Sequence, residues 1–476
     1  MLAFGGLVQR TTVAFDAFAA ARATPAQIEA LQRQRRGRLL SSAQRTPRYR
    51  RVLQGRDPLN TRLVDLPVSD KMQLMQHFSE GVADPHITLA GVREFCADPS
   101  RVAAHFLGRY AIWESSGSTS MPGVFVQDEA ALAVYDALEA SRRVSPRPWA
   151  RWFDPWGLNE RFAFVGATGG HFATQVSLQR LRAANPWMAQ HCRGFSILQP
   201  VAELVAELNA FAPNALATYP TAAVLLAEQA AAGALRFRPQ ELWTGGETLT
   251  AGMRLSIEAA FGRIVHNSYG ASEFLPIAWE CTQGRLHVNA DWVILEPVDR
   301  EHRPVPAGQL SHTTLLTNLA NHVQPLIRFD IGDRTVLASE RCPCGCTLPC
   351  VQVQGRCDDA LVVPSMDGKP VRLLPLALTT LLEDEAGVFE FQLHQRGERY
   401  WQLLLAGDSA HAAGAQARCV GVLADFARAQ GVAGLRIVTE AVESLPLGRS
   451  GKLQRVFALK PPQDPPRRRA SRTQVA

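Results

Sequence analysis

Residues 241–273 read ELWTGGETLTAGMRLSIEAAFGRIVHNSYGASE, and short β-rich runs alternate here with a helical run. The patterns predict a strand over 241–245, a helix over 252–261 and a second strand over 263–269. Strand–helix–strand units of this kind are typical of a parallel sheet whose two faces are covered by helices. The stretch therefore predicts an α/β fold.

The same alternation continues before this stretch, and a run of strands follows it. Upstream, the sequence predicts strands at 161–166 and 215–219 and helices at 201–211 and 221–232. Downstream, strand-like runs follow one another without helices between them, at 287–296, 309–317 and 326–329. We therefore expect a β subdomain, a sheet or a barrel, appended to the α/β core.

The sequence after residue 358 predicts a small α+β domain. Its helical and strand-like runs lie at 373–384, 388–395, 400–406, 411–430 and 435–439. The first hundred residues are mainly helical in pattern, most clearly at 27–39. We expect a large N-terminal domain with parallel sheets over 1–357, a C-terminal domain over 358–460, and a disordered basic tail over 461–476.

Composition and charge narrow the class of protein. The chain has 476 residues, 46% of them apolar and 20% charged, which is typical of a globular protein of two or three domains. No apolar run reaches the roughly 18 residues of a membrane helix, and the N-terminus lacks the pattern of a signal peptide. These features predict a cytoplasmic protein without a membrane partner.

The net charge of +6 gives no reason to expect a nucleic-acid partner. The basic excess lies mostly in residues 460–476, and a second basic cluster lies in residues 33–62. Neither has interleaved aromatic residues or a helix-turn-helix pattern. We interpret both as solvated surface.

A loop rich in hydroxyl groups and glycine follows the apolar run 110–113. It reads Ser115-Ser116-Gly117-Ser118-Thr119-Ser120-Met121-Pro122-Gly123 and precedes a helical run at 129–144. Glycine lets the backbone approach a phosphate, and N–H and O–H groups donate to its oxygens. Most Ser/Gly-rich turns are only turns, and this one lacks the G-x-x-x-x-G-K-[ST] pattern, so the loop gains weight only from its context.

Five further motifs follow this loop in order. Two lie at predicted strand ends, Gly245-Gly246-Glu247 and Tyr269-Gly270-Ala271-Ser272-Glu273, where an open α/β sheet binds ligands. An aromatic ring there can stack on a base, and a carboxylate can hold Mg²⁺ beside phosphate. The others lie at 328–333, 355–359 and 446–455.

Taken in this order, the motifs resemble those of the adenylate-forming superfamily, which includes acyl- and aryl-CoA synthetases. The resemblance runs from residue 115 to residue 455. The segment 325–333, followed by Cys-Pro-Cys-Gly and by Gly355-Arg356, is most similar to the phenylacetate–CoA ligase group. It implies an ATP-dependent ligase that activates a carboxylic acid as acyl-AMP and passes the acyl group to a thiol. It also implies that the small domain rotates between the two half-reactions, about a hinge at Asp358.

The resemblance assigns roles to residues that match the motifs. For the nucleotide it implies Ser115, Ser116, Gly117, Ser118 and Thr119 at the phosphates, Gly246, Glu247 and Tyr269 at adenine, Asp333 and Arg356 at the ribose, and Glu273 on Mg²⁺. It implies Lys452 as the catalytic lysine between the carboxylate and the α-phosphate, and His171 beside the carboxylate. The family usually has a lysine near the end of the phosphate loop, where this chain has Met121 and Gly123. We expect that departure to slow the enzyme without inactivating it.

A local group of cysteines indicates a metal. Five of the nine cysteines lie between Cys342 and Cys357, and a cytosolic chain does not readily keep disulfides. The phenylacetate ligase resemblance implies a structural zinc site with Cys281, His287, Cys342 and Cys344 as ligands. A competing set adds Cys346 and Cys350, and reduced cysteines without a metal remain the third interpretation.

The sequence leaves open which molecule accepts the acyl group. The preferred hypothesis is loading of a small aromatic, hydroxybenzoate-like acid onto an acyl carrier protein, as in similar ligases of aryl-polyene pigment pathways. The alternatives are an aryl-CoA ligase, an amide-forming adenylating enzyme, and a ligand sensor derived from a ligase; retention of the motif residues argues against the sensor. A homodimer is left open.

Overall fold

The computed structural model describes residues 2–115, 123–142, 160–166, 168, 170–196, 199, 201–356, 361–368, 370–373, 378, 381–388, 390–406, 414–446 and 454–459. The chain divides into two compact units. The larger is Met1–Cys357 with Pro446–Gln454, and the smaller is Asp358–Leu445 with Arg455–Ala476.

The large unit is organised around a nine-stranded sheet. One half is parallel and consists of β3 (Phe162–Gly166), β4 (Cys192–Ser196), β5 (Ala215–Thr218), β6 (Glu241–Gly245) and β7 (Val265–Ala271). The other half is antiparallel and consists of β8 (Phe274–Glu280), β9 (Leu286–Val288), β13 (Asp333–Leu337) and β14 (Cys350–Arg356). The strand order across the sheet is β13-β14-β9-β8-β7-β6-β5-β3-β4. The predicted α/β class and parallel sheet are confirmed.

Two smaller sheets complete the strands of this unit. A hairpin pairs β1 (Ala111–Glu114) with β2 (Val124–Gln127), and a three-stranded sheet consists of β10 (Val293–Val298), β11 (Thr313–Asn318) and β12 (Phe329–Asp330). The run of strands predicted after residue 287 is therefore divided between two sheets, because β9 joins the large sheet while β10, β11 and β12 form the three-stranded one.

Helices surround these sheets. In the described residues of this unit they are α1 (Leu2–Ala20), α2 (Pro25–Ala43), α3 (Pro47–Val52), α4 (Lys71–Gln76), α5 (Leu89–Ala97), α6 (Glu129–Arg142), α7 (Ala173–Ala184), α8 (Pro186–His191), α9 (Val201–Phe211), α10 (Pro220–Ala231) and α11 (Ala251–Phe261). The start of α2 has a capping box, in which Thr24 and Gln27 satisfy each other's backbone N–H groups. Among the described helices, each is too short or too polar to cross a bilayer.

One predicted strand is shifted by two residues, and the cause is local. The helix α11 ends at Phe261 and is capped by Gly262, whose φ of +62° suits glycine, so Arg263 and Ile264 belong to the turn that follows. The strand β7 therefore begins at Val265 and not at Arg263. It continues past Tyr269 to Ala271 because its end pairs with β8 in a hairpin.

The described elements of the small unit are β15 (Leu361–Pro364), β16 (Pro370–Leu373), a π-helical turn (Leu381–Glu385), β17 (Phe391–Gly397), β18 (Tyr400–Leu405), α12 (Ala415–Ala429), β19 (Arg436–Ala441) and β20 (Val456–Phe457). Four of its strands form one sheet, in the order β19-β18-β17-β20. Trp401 and Cys419 are fully buried in its core. The predicted helix at 373–384 is wrong at its start, because Leu373 pairs with Leu361 in a β-ladder.

Candidate active site

The carboxyl ends of β6 and β7 bring two glycine-containing turns together. Gly245 lies so close to β7 that a Cβ atom there would be 2.6 Å from the Ser268 hydroxyl oxygen. Gly246 follows with a φ of +78°, a conformation that favours glycine. These turns leave backbone accessible at the strand ends, where the resemblance implies the adenine of ATP. The predicted Glu247 comes next and is partly exposed.

The hairpin between β7 and β8 holds Glu273, which is buried. The Trp113 indole N–H donates to the Ser272 carbonyl at 2.8 Å, and the Asn318 amide donates to the Glu273 carbonyl at 2.9 Å. Gly270 is required by packing, since a Cβ atom there would lie 2.0 Å from the Leu275 carbonyl oxygen. The position of the Glu273 backbone is therefore fixed from two sides.

The two ends of the predicted phosphate loop are joined by hydrogen bonds. The Ser115 N–H donates to the Gly123 carbonyl, and the Gly123 N–H donates to the Ser115 hydroxyl, each at 2.8 Å. Four predicted phosphate contacts lie outside the described residues, namely Ser116, Gly117, Ser118 and Thr119. Of the predicted phosphate contacts, Ser115 is thus the one whose position is described.

The predicted adenine and ribose contacts lie beside each other. The Tyr269 hydroxyl donates a 2.6 Å hydrogen bond to the Asp333 carboxylate, although the two residues are 64 positions apart. Across the β13–β14 ladder, Asp333 is the register partner of Arg356. This arrangement places an aromatic ring, a carboxylate and the Arg356 backbone in one neighbourhood.

A cavity of about 360 Å³ opens beside these strand ends, and we call it the strand-end cavity. It is lined by Gly245 and Gly246, by the hairpin residues Ala271 and Ser272, and by Glu114. Aromatic rings also line it, including Phe162, Phe164, Phe172, Tyr219 and Trp243. A flat apolar molecule fits such walls, because aromatic rings bury large apolar areas and favour ring contacts.

His171 lies next to this cavity, but its neighbour Phe172 lines it. The His171 side chain is 1% exposed and packs against Phe95 with ring centroids 5.3 Å apart. Burial lowers the pKa of His171, which favours the neutral imidazole. Its carbonyl accepts the Glu114 N–H at 2.8 Å, so this segment is anchored to β1. The role of His171 at the substrate carboxylate stays a prediction.

A second group of side chains comes together at the antiparallel half of the sheet. The potential ligand atoms of Cys281, His287, Cys342 and Cys344 all lie within 4.8 Å of one another, and we call them the Cys/His cluster. The Cys281 and Cys342 sulfurs are 3.7 Å apart, and the Cys344 sulfur is 3.3 Å from the His287 Nε2. Both separations are close to the edges of a tetrahedron with zinc bonds of about 2.0–2.3 Å.

Backbone groups around the Cys/His cluster contact its side chains in the way that supports metal binding. The His287 Nδ1 lies 2.8 Å from the Leu348 carbonyl, and donation there leaves Nε2 as the ligand atom. The N–H groups of Gln283 and Cys346 donate to the sulfurs of Cys281 and Cys344 at 3.4 Å, which stabilises thiolates.

The competing cysteines differ from each other in position. The Cys350 sulfur lies 3.6 Å from the His287 Nε2, beside the Cys/His cluster. The Cys346 sulfur points to the Ala21 carbonyl, 3.8 Å away. A four-cysteine set that includes Cys346 is therefore disfavoured.

Similarity to known proteins agrees with this geometry. No protein-family model matches the chain. The phenylacetate–coenzyme A ligase of Thermus thermophilus is 27% identical over 366 residues, which are 73% of this chain and 74% of that protein. The protein CapK of Staphylococcus aureus is 30% identical over 138 residues, 29% of each chain. The crystal structure of 2-hydroxyisobutyryl-CoA ligase with 2-HIB-AMP superposes with a TM-score of 0.65 at 22% identity, covering 93% of this chain and 91% of that one.

The chain has the adenylate-forming fold and is homologous to a phenylacetate–CoA ligase. The superfamily recognised from the motifs is therefore confirmed, and so is the enzyme class, an adenylate-forming acid–thiol ligase.

Within the adenylate-forming fold, the structure describes some predicted residues and not others. Lys452 and the predicted hinge residue Asp358 lie outside the described residues, and so does the side chain of Arg356. The aromatic walls of the strand-end cavity, such as Phe164 and Trp243, were not predicted individually. Their signal in the sequence is slight, since an apolar side chain near a strand end is equally typical of the core.

Proposed function

We propose that this chain uses ATP to activate an aromatic carboxylic acid as its acyl-AMP and then transfers the acyl group to a phosphopantetheine thiol. The observation that carries the proposal is the strand-end cavity. Its aromatic walls border the same glycine turns, Gly245 and Gly246, that the family resemblance assigns to ATP. An acid bound in this cavity would thus meet the nucleotide at the strand ends.

The proposed chemistry places charge where adenylation needs it. The acid carboxylate attacks the α-phosphate, and negative charge moves toward the leaving pyrophosphate. Lys452 would stabilise that charge, and Asp333 would accept hydrogen bonds from the ribose hydroxyls. Glu273 would hold Mg²⁺, which when bound neutralises phosphate charge. The homologue and the superposed structure are CoA ligases, which supports this class of reaction.

The acceptor thiol has two sources with the same chemistry. Free CoA and an acyl carrier protein both present phosphopantetheine. We propose the carrier protein, on the motif likeness to pigment-pathway ligases, with the aryl-CoA ligase and the amide-forming enzyme as the alternatives. A cytoplasmic location is part of the same proposal.

We also propose that the Cys/His cluster holds one structural zinc ion. The side chains are of the types that zinc prefers, and their spacing fits a closed tetrahedral site. With all four positions taken by protein, the ion would support the fold and take no part in catalysis.

The test of the proposed function is ATP–pyrophosphate exchange with the full chain and a panel of aromatic and aliphatic acids. Aromatic acids should support exchange at far lower concentrations than aliphatic acids of similar size. Thioester product is then followed by mass spectrometry with CoA and with carrier proteins. Exchange confined to aliphatic acids would overturn the aromatic assignment, and an adenylate that reaches neither thiol would favour an amine acceptor.

A further inference from the structure

A lysine from outside the predicted phosphate loop lies at the base of that loop. We call Ser115 and Gly123, which are joined by two hydrogen bonds of 2.8 Å, the loop base. A Cβ atom at Gly123 would lie 3.3 Å from the Lys71 Cγ and 3.1 Å from a ring carbon of Phe125. The aliphatic stem of Lys71 therefore packs against the loop base, although the two segments lie far apart in sequence.

The position of this stem limits how far the Lys71 ammonium group can lie from the loop. Three bonds of about 1.5 Å each separate Cγ from Nζ. Added to the 3.3 Å contact, they keep the ammonium nitrogen within about 8 Å of the loop base in every rotamer. Charges at this separation still attract each other in solution, because the Debye length is about 8 Å at physiological ionic strength.

The loop has no positive charge of its own. Residues 115–123 offer hydroxyl and N–H groups and contain neither lysine nor arginine. The leaving group of adenylation is pyrophosphate, and a cation binds such an anion more strongly than neutral donors do. A cation from another segment would therefore strengthen phosphate binding at this loop, and Lys71 is placed to supply it.

The backbone that presents Lys71 is anchored to residues 328–333, the motif to which the resemblance assigns the ribose of ATP. The Ser69 N–H donates to the Arg328 carbonyl at 3.2 Å, and the Asp330 N–H donates to the Ser69 carbonyl at 2.7 Å. Two predicted nucleotide contacts, the phosphate loop and the ribose motif, thus meet the segment that carries this lysine.

Helix stability does not account for a lysine at this position. Lys71 is the first residue of α4, and the Asp70 carboxylate caps that helix by accepting the Gln73 N–H at 2.8 Å. The start of a helix has a partial positive charge, so a cation there is unfavourable. The side chain is also only partly buried, so its contribution to the core is small.

We propose that Lys71 binds the β- and γ-phosphates of ATP at the loop base and stabilises the pyrophosphate as it leaves. Its ammonium group donates to phosphate oxygens and offsets their charge, while the predicted role of Lys452 at the α-phosphate is unchanged. The inference rests on the proposed function and adds a residue to its nucleotide site. It also gives a physical reason why a loop that ends in Met121 and Gly123 can serve without a lysine of its own.

The experiment compares nucleotides with and without the β- and γ-phosphates. Binding of ATP and of AMP to the full chain is measured by calorimetry in a buffer that contains magnesium. Lys71→Met keeps the length of the stem and removes the charge, so it should weaken ATP binding by about tenfold or more and change AMP binding by less than about twofold. Asp333→Ala, in contrast, should weaken the binding of both nucleotides alike, because both contain the ribose.

Two further variants separate charge from structure. Lys71→Arg keeps the positive charge and should bind ATP within about threefold of the wild type. Gln76→Met places the same side chain at the exposed end of α4 and should leave both affinities unchanged. Salt gives an independent measure, since ATP affinity should fall more steeply with ionic strength in the wild type than in Lys71→Met.

The outcomes are distinct for the two proposals. Equal losses of ATP and AMP affinity in folded Lys71→Met, or a loss of neither, would overturn the role of Lys71 and leave the ligase assignment intact. If the wild type binds neither nucleotide, the proposed function fails, and calorimetric binding of inorganic pyrophosphate to the full chain tests the lysine alone. Pyrophosphate binding that is absent, or equal in the wild type and Lys71→Met, would then overturn the lysine site as well.

Discussion

The strand-end cavity takes its walls from five strands, β3, β5, β6, β7 and β8, and from α6 and the start of α7. The Cys/His cluster, by contrast, takes its ligand atoms from one strand and two short turns. In the cavity, backbone turns and apolar rings define a shape, and single side chains at its ends supply polarity. In the cluster, four side chains supply all of the potential metal ligands. Changes in the cavity should therefore alter catalysis and specificity, and changes in the cluster should alter stability.

The largest expected effect is at the adenylate end. Lys452→Ala should reduce acyl-AMP formation by about 10²–10³-fold or more, because it removes charge stabilisation made in the transition state. Pyrophosphate exchange measures the loss, and Lys460→Ala in the basic tail serves as the matched lysine control. The thermal midpoint should stay unchanged; near wild-type exchange would remove Lys452 from the mechanism.

The next effect concerns the nucleotide. Asp333→Ala should weaken ATP binding by about 10–100-fold, since the ribose hydroxyls lose a charged acceptor, and should change acid binding little. Tyr269→Phe removes the hydroxyl that donates to Asp333 and should weaken ATP binding less than Asp333→Ala does. Calorimetric titration with ATP and with acid measures both. Equal losses for ATP and acid would contradict the ribose assignment.

The third prediction tests the other side of the comparison. Elemental analysis should find about one zinc ion per chain, and Cys344→Ser should release it and lower the thermal midpoint by several degrees. The acid preference should stay the same. Cys346→Ser is the matched control, because that sulfur faces the Ala21 carbonyl, and it should keep the metal. A metal-free preparation of full stability would refute the zinc site.

The smallest effect is expected at the acceptor. Carrier proteins present acidic surface beside their phosphopantetheine arm, and this chain has a basic cluster in residues 33–62. Raising the ionic strength from low to physiological should lower kcat/KM for a carrier protein several-fold, while acyl-AMP formation changes little. Efficient transfer to CoA and none to any acidic carrier protein would reverse our preference.

The sequence predicts the residues of the Cys/His cluster and the nucleotide contacts well. The cluster residues were predicted as a set because few residue types bind zinc and because the family resemblance joins two short segments, 281–287 and 342–344. Tyr269 and Asp333 were predicted because their roles need particular residue types at motif positions. In both cases chemistry restricts which residues can serve.

Arg142 and Asn289, two buried polar residues beside the strand-end cavity, gave no such signal. Arg142 follows the pattern of an ordinary basic residue near a helix end, where it is favourable and usually solvated. Its burial depends on Asp291, which lies 149 positions away in sequence. This pairing joins the end of α6 to the turn between β9 and β10, and local periodicity contains no information about it.

One consequence concerns Trp279, whose indole lines the cavity while stacking on the His287 imidazole with ring centroids 5.4 Å apart. This chromophore contacts both regions, so its fluorescence should respond both to a ligand that enters the cavity and to a change at the imidazole. The difference in emission between the wild type and Trp279→Phe isolates this signal from that of the other tryptophans. The fold thus contains an optical reporter through which acid binding and metal occupancy can be followed in one cuvette.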